Sequence, residues 1–90
     1  MSVEVRIPTI LRTFTGGAKA VHGTGATLQQ VLDDIEARNP GLKDRIVESE
    51  TLRRFVNVYV NDEDVRFSGG LNAPIADGDI VVVLPAVAGG

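Results

Sequence analysis

Ninety residues with 12 acidic, 9 basic and no cysteine side chains make one small acidic domain of net charge −3. That balance argues against direct nucleic-acid binding, which needs clustered positive charge, and the missing thiols exclude disulfides, thiolate metal sites and cysteine nucleophiles. No run approaches the roughly 18 consecutive apolar residues of a membrane span, and the N-terminus lacks a basic region followed by an apolar stretch, so a cytoplasmic protein with no membrane partner is expected.

Val3, Val5 and Ile7 alternate with Ser2, Glu4 and Arg6, the two-residue period of a strand with one buried face, and Pro8 ends it. Thr9 to Gly17 is polar and closes on Gly16-Gly17, after which Ala18 to His22 reads as a weaker strand pairing back on the first. The two make an opening hairpin. Gly16-Gly17-Ala18-Lys19 and Gly23-Thr24-Gly25 lack the glycine-lysine-hydroxyl spacing that cradles a phosphate before a helix, so both read as turns. His22, the single histidine, has no neighbouring metal ligand or catalytic partner and is expected at an exposed strand end.

Thr27-Leu28-Gln29-Gln30 has the form of a capping box, and Leu28, Val31, Leu32 and Ile35 follow at the spacing of one helix face. Asp33, Asp34, Glu36 and Arg38 fall largely on the opposite face and read as solvated, and Asn39-Pro40-Gly41 ends the helix. Leu42 and Ile46 are spaced for one further helical turn, and Val47 to Thr51 reads as a loop. Phe55 to Val60 is a strand with Val56, Val58 and Val60 on one face and Phe55, Asn57 and Tyr59 on the other. Asn61-Asp62-Glu63-Asp64 lacks the glycine and distal glutamate of a calcium loop and is expected to be a hairpin turn, followed by a short returning strand from Val65 to Phe67. Asp77-Gly78-Asp79 is the turn that launches the last strand, Ile80 to Leu84.

That last strand is apolar at every position, which marks it as central and parallel to the first strand through a right-handed crossover. One helix covers one sheet face. With Ile80, Val82 and Leu84 turned to the helix, Val81 and Val83 would join some of Phe55, Tyr59 and Phe67 in an apolar patch on the open face, a candidate partner-docking surface, the alternative being that loops fold over this side. Pro85 has no N–H and ends the ladder, and Ala86-Val87-Ala88-Gly89-Gly90 follow without a charged side chain. The expected organisation is a domain over 1–84 and a C-terminal tail over 85–90. From Pro85 to Gly90 an extended chain reaches roughly 20 Å, and glycines at its tip can thread a constriction closed to any residue with a Cβ. The Gly90 α-carboxylate is the candidate reacting group; Gly89, Ala88, Val87 and Pro85 set the threading path, and no metal-ligating set or catalytic residue is read from the chain.

The order of elements and the Gly-Gly end resemble the β-grasp, ubiquitin-like sulfur carriers of the ThiS/MoaD family. Ile7 to Arg12, Phe55 to Phe67, Ile75 to Asp79 and Leu84 to Gly90 are similar to the CysO-type branch, above all Asn-Asp-Glu-Asp-Val-Arg-Phe and Leu-Pro-Ala-Val-Ala-Gly-Gly. The resemblance implies an α+β fold, a mixed sheet of four to five strands packed on one main helix. It implies a carrier that is a protein co-substrate and not an enzyme, with no cofactor of its own.

By that resemblance an E1-like adenylyltransferase/sulfurtransferase uses ATP and magnesium to join AMP to the Gly90 carboxylate, and sulfide or a persulfide displaces AMP to give a thiocarboxylate. A pyridoxal-phosphate cysteine synthase would add that sulfur to an activated serine such as O-phosphoserine. After an acyl shift a JAMM-type zinc peptidase would release cysteine; pyridoxal phosphate and zinc belong to those partners. Alternatives within the same chemistry are carriage of sulfur for molybdopterin, the thiamine thiazole or tRNA thiolation. Outside it stand a ubiquitin-like protein modifier and an interaction domain with an inert tail.

Overall fold

The computed structural model describes residues 2–54 and 56–85. The expectations attached to Phe55, Val87, Ala88, Gly89 and Gly90 lie outside the described residues. The chain opens with β1 (Val3–Arg6), a 3₁₀ helix over Thr9–Thr15, and β2 (Ala20–Gly23), antiparallel to β1. The hairpin is as expected, but the polar connection is helical and Gly16 closes it at φ 67°, a left-handed conformation suited to glycine. His22 is exposed on β2.

Helix α1 (Leu28–Arg38) begins at the predicted cap: the Gln30 N–H donates to Thr27 Oγ1 at 3.3 Å, while Gln30 Oε1 accepts from the Ala26 N–H at 2.8 Å. Leu28, Val31, Leu32 and Ile35 are all fully buried, each contributing about 1.5–3 kcal/mol relative to an exposed position. The polar face of α1 does more than meet water. Glu36 accepts from the N–H groups of Gly41 and Lys43 at 2.9 and 2.8 Å, satisfying the free donors that start α2 (Leu42–Ile46).

Beyond α2, β3 (Val47–Glu48) and β4 (Thr51–Leu52) form a two-residue hairpin where a loop was expected, turning on Ser49 and Glu50 at φ 51° and 64°. Nothing but a pair of positive φ angles at non-glycine residues makes that turn, so turn chemistry left no mark in the sequence. Next come β5 (Val56–Val60), β6 (Glu63–Asp64), 3₁₀ turns at Val65–Phe67 and Gly70–Asn72, and β7 (Ile80–Pro85). The expected strand at Val65–Phe67 is therefore a correction. Asn61 and Asp62 alone take positive φ, so the hairpin turns in two residues, pairing resumes at Glu63, and the Asp64 carboxylate caps the following 3₁₀ turn by accepting from the Arg66 N–H at 2.9 Å.

The main sheet has the order β2-β1-β7-β5-β6, with β7 central, parallel to β1 and antiparallel to β5. With α1 packed on one face, this is the β-grasp, ubiquitin-like arrangement. Register decides which way β7 faces: Val81 pairs with Val5 and Val83 with Val58, all buried, because residues opposite one another share a face. Val81 and Val83 are thus core residues, and the expectation that they lie on the open face is overturned. No helix among the described residues is long and apolar enough to cross a membrane.

Candidate functional site

The site is the end of the sheet at which β7 delivers the chain to residues 86–90. Its start is fixed at the other end: Asn61 Nδ2 donates to Asp79 Oδ1 at 2.9 Å, Asn61 Oδ1 accepts from the Ile80 N–H at 3.0 Å, and the Ala76 N–H donates to Asp79 Oδ2 at 2.9 Å. The Ala76 amide first, and then Asn61, hold the Asp79 carboxyl below its ordinary pKa. The strand continues one residue further than expected, since Pro85 still faces Val56 across the ladder.

On the open face Asn57 lies opposite Leu84 and Tyr59 opposite Val82, so Tyr59, Val82 and Leu84 form one diagonal patch. Leu84 is 45% exposed. Of the predicted docking residues, Tyr59 is therefore in place, half-buried; Phe67 is 88% exposed on the 3₁₀ turn; Val81 and Val83 are in the core. Val82 and Leu84 replace them. The signal that finds them is the alternation of β1, because its buried Val5 imposes its side on Val81 once the two strands are laid parallel.

Two concavities flank the strand exit. One, of about 530 Å³, is lined by Ile10, Phe14, Arg45, Arg53, Val83 and Pro85, among others. The second, of about 340 Å³, lies by Leu84 and Val82 and is bordered by Arg6, Arg12 and Lys19. Ile10, 66% exposed, sits in the first and Leu84 in the second. The basic residues are held in different ways. Arg53 donates to the Asp44 carbonyl at 2.6 Å and pairs with Glu48 at 3.2 Å; Arg12 Nε donates to the Ile7 carbonyl at 3.1 Å; the Arg45 guanidinium stands over the Phe14 ring at 5.4 Å. Arg66 braces this end by donating to the carbonyls of Arg53 and Val56 at 3.1 and 2.6 Å and to Asn57 Oδ1 at 2.7 Å. In the Asp-Val-Arg-Phe segment, then, the aspartate caps, the valine enters the core and the arginine clamps β5.

Among the described residues, no group of three His, Asp or Glu side chains could hold a metal ion. What this end offers is a central strand, paired on both sides, with apolar and cationic surface flanking its end.

A sequence profile described as the ThiS family matches residues 5–90. The chain belongs to the ThiS family. The sulfur carrier protein CysO of Mycobacterium tuberculosis is 58% identical over 100% of both chains. In the crystal structure of the Amycolatopsis orientalis BexX/CysO complex, a chain 62% identical superposes with a TM-score of 0.94, covering 98% of this chain and 99% of that one. A more distant relative, small archaeal modifier protein 3 of Haloferax volcanii, is 34% identical, again over 100% of both chains. The family match includes residues 86–90 and every strand of the sheet except the first two residues of β1.

Proposed function

We propose that this chain is a sulfur carrier of the CysO type, supplying sulfur for cysteine biosynthesis. The full-length 58% identity to a protein named as that carrier is the observation that supports it most strongly. The chemistry falls on the Gly90 carboxylate. A carboxylate oxygen attacks the α-phosphorus of ATP, pyrophosphate leaves, and the acyl-adenylate carries a good leaving group in place of a poor one. Sulfide sulfur then attacks the acyl carbon and AMP departs, leaving a thiocarboxylate. An E1-like enzyme with magnesium performs both steps; a pyridoxal-phosphate cysteine synthase and a JAMM-type zinc peptidase use the product. The carrier is their co-substrate and works in the cytoplasm. Gly89, Ala88, Val87 and Pro85 carry the carboxylate into each active site, and the patch of Tyr59, Val82 and Leu84, with Phe67, meets the partner.

The test is the intact mass of the protein from its host cells, before and after a thiol-alkylating reagent. With no cysteine in the chain, alkylation reports only added sulfur. The expected species is heavier by one oxygen-to-sulfur exchange, localised to Gly90, and trapped by the reagent. An unmodified mass that persists after incubation with the cognate activating enzyme, ATP and a sulfur source refutes the proposal. A second reading, a protein modifier, draws on the full-length 34% identity to an archaeal modifier protein. Isopeptide conjugates of higher mass in cell extract would favour it.

A further inference from the structure

The basic side chains are not spread evenly over this acidic protein. Arg6, Arg12, Lys19, Arg45 and Arg53 line the two concavities at the exit of β7, against Glu4 as the one acidic lining residue among those described. Glu4 is committed to Arg6 at 2.7 Å, and Arg53 to Glu48. That leaves Arg12, Lys19 and Arg45, none of which has a carboxylate within ion-pair distance among the described residues. Asp44 borders a neighbouring depression shared with Arg45 and Arg53, so the excess is greatest around Arg12 and Lys19. At the opposite end of the strand stand Asp62, Glu63, Asp77 and Asp79. Six strand residues separate the two ends by roughly 20 Å, more than two screening lengths of about 8 Å at physiological salt, so the acidic end does not cancel the basic one.

We propose that this basic collar docks against an acidic rim on the activating enzyme, around the mouth of the channel that receives the tail. The inference rests on the sulfur-carrier reading above. Its logic is the length of chain between collar and reacting group. Five residues separate Pro85 from Gly90, roughly 17 Å when extended. An enzyme that must attract a carboxylate and the phosphates of ATP needs positive charge deep in its site. The same enzyme can carry negative charge at its rim, two screening lengths away, without opposing the incoming carboxylate. The collar would then orient the carrier before contact, drawing its exit end to the channel while the acidic end is turned away.

Lys19 and Arg45 are exposed, and neither side chain is tied into a hydrogen bond among the described residues; charge reversal gives up only the stand of Arg45 over the Phe14 ring at 5.4 Å, and an unchanged melting curve of the variant checks that the fold is kept. Thiocarboxylate formation is measured with the host's own activating enzyme, ATP, magnesium and sulfide, at salt from low concentration to about 0.5 M. The combined Lys19→Glu and Arg45→Glu variant is expected to raise KM by roughly tenfold at low salt with kcat unchanged, and to flatten the salt dependence. Glu63→Lys with Asp77→Lys, at the far end, is the control and should leave both constants unaltered. Wild-type KM and wild-type salt dependence in the Lys19/Arg45 variant would overturn the collar while leaving the carrier reading intact. Wild-type protein that forms no thiocarboxylate would remove both.

Discussion

The two faces of β7 are built from the same residue types and do opposite things. Val81 and Val83 point into the core against Val5 and Val58, at 0% and 1% exposure, whereas Ile80, Val82 and Leu84 lie on the face left without a helix. Composition does not separate them; register does. One strand therefore serves as the centre of the fold and as part of its outward surface, and an apolar residue there means stability or recognition according to the parity of its position.

The sharpest way to break that comparison is to place the same charge on each face in turn. Val81→Asp puts a carboxylate at a fully buried position with no partner, a cost of several kcal/mol that exceeds what a domain of this size can absorb, so the chain should be unfolded by circular dichroism at room temperature. Leu84→Asp should keep its unfolding free energy to within about 0.5 kcal/mol of wild type, and its effect should appear in partner binding instead. If both variants unfold, or both fold, the two faces are not distinct. A middle case sits beneath the core face at Gly23, where an added Cβ would stand 2.8 Å from Ile35 Cγ2 and 3.2 Å from the Val31 carbonyl oxygen. Gly23→Ala should cost about 1–3 kcal/mol in chemical denaturation, as overpacking at a tight helix-on-sheet contact; a neutral result would mean that α1 can move away.

How far the sequence discloses this follows from which strands alternate. Val3, Val5 and Ile7 alternate with polar residues, so β1 declares its buried face, and Val56, Val58 and Val60 do the same for β5. Helix α1 declares its cap and its apolar stripe together. Strand β7 is apolar throughout, and period-2 reasoning has nothing to grip. Its facing is a property of the pair, carried by β1, which is why Val81 and Val83 were expected on the wrong side and Val82 and Leu84 were missed. The Ser49-Glu50 turn and the resumption of pairing at Glu63 were illegible for a different reason: they depend on non-glycine residues at positive φ. The cationic surroundings of the exit were illegible too, because Arg12, Lys19, Arg45 and Arg53 are scattered over forty residues of sequence and meet only in the fold. Of the site, Tyr59 is legible as an open-face residue, while Pro85, read as the stop after Leu84, pairs with Val56 as the last residue of the ladder.

The smallest expected effect sharpens the comparison at the point where β7 begins. Asp79 accepts hydrogen bonds from the Ala76 amide and the Asn61 side chain only in a way that favours its ionised form, so its folded-state pKa lies below the unfolded value of about 3.9. A depressed carboxyl stabilises the fold above the unfolded pKa, and that contribution is lost as the pH falls through the folded one. Glu4, held down by Arg6, and Asp34, held down first by Arg38 and then by the Thr24 amide, share the sign. Asp79→Asn should melt slightly below wild type at pH 7, and the gap should close as the pH falls below about 4. Its launch turn is exposed and its bonds are few, so the loss should stay local, seen as faster amide exchange at Ala76 and Ile80 with Val81 to Val83 still protected. Parallel melting curves down to the lowest accessible pH would show that Asn61 alone anchors the strand, and exchange spreading to Val81 would show that the start of β7 and its core face fold as one unit.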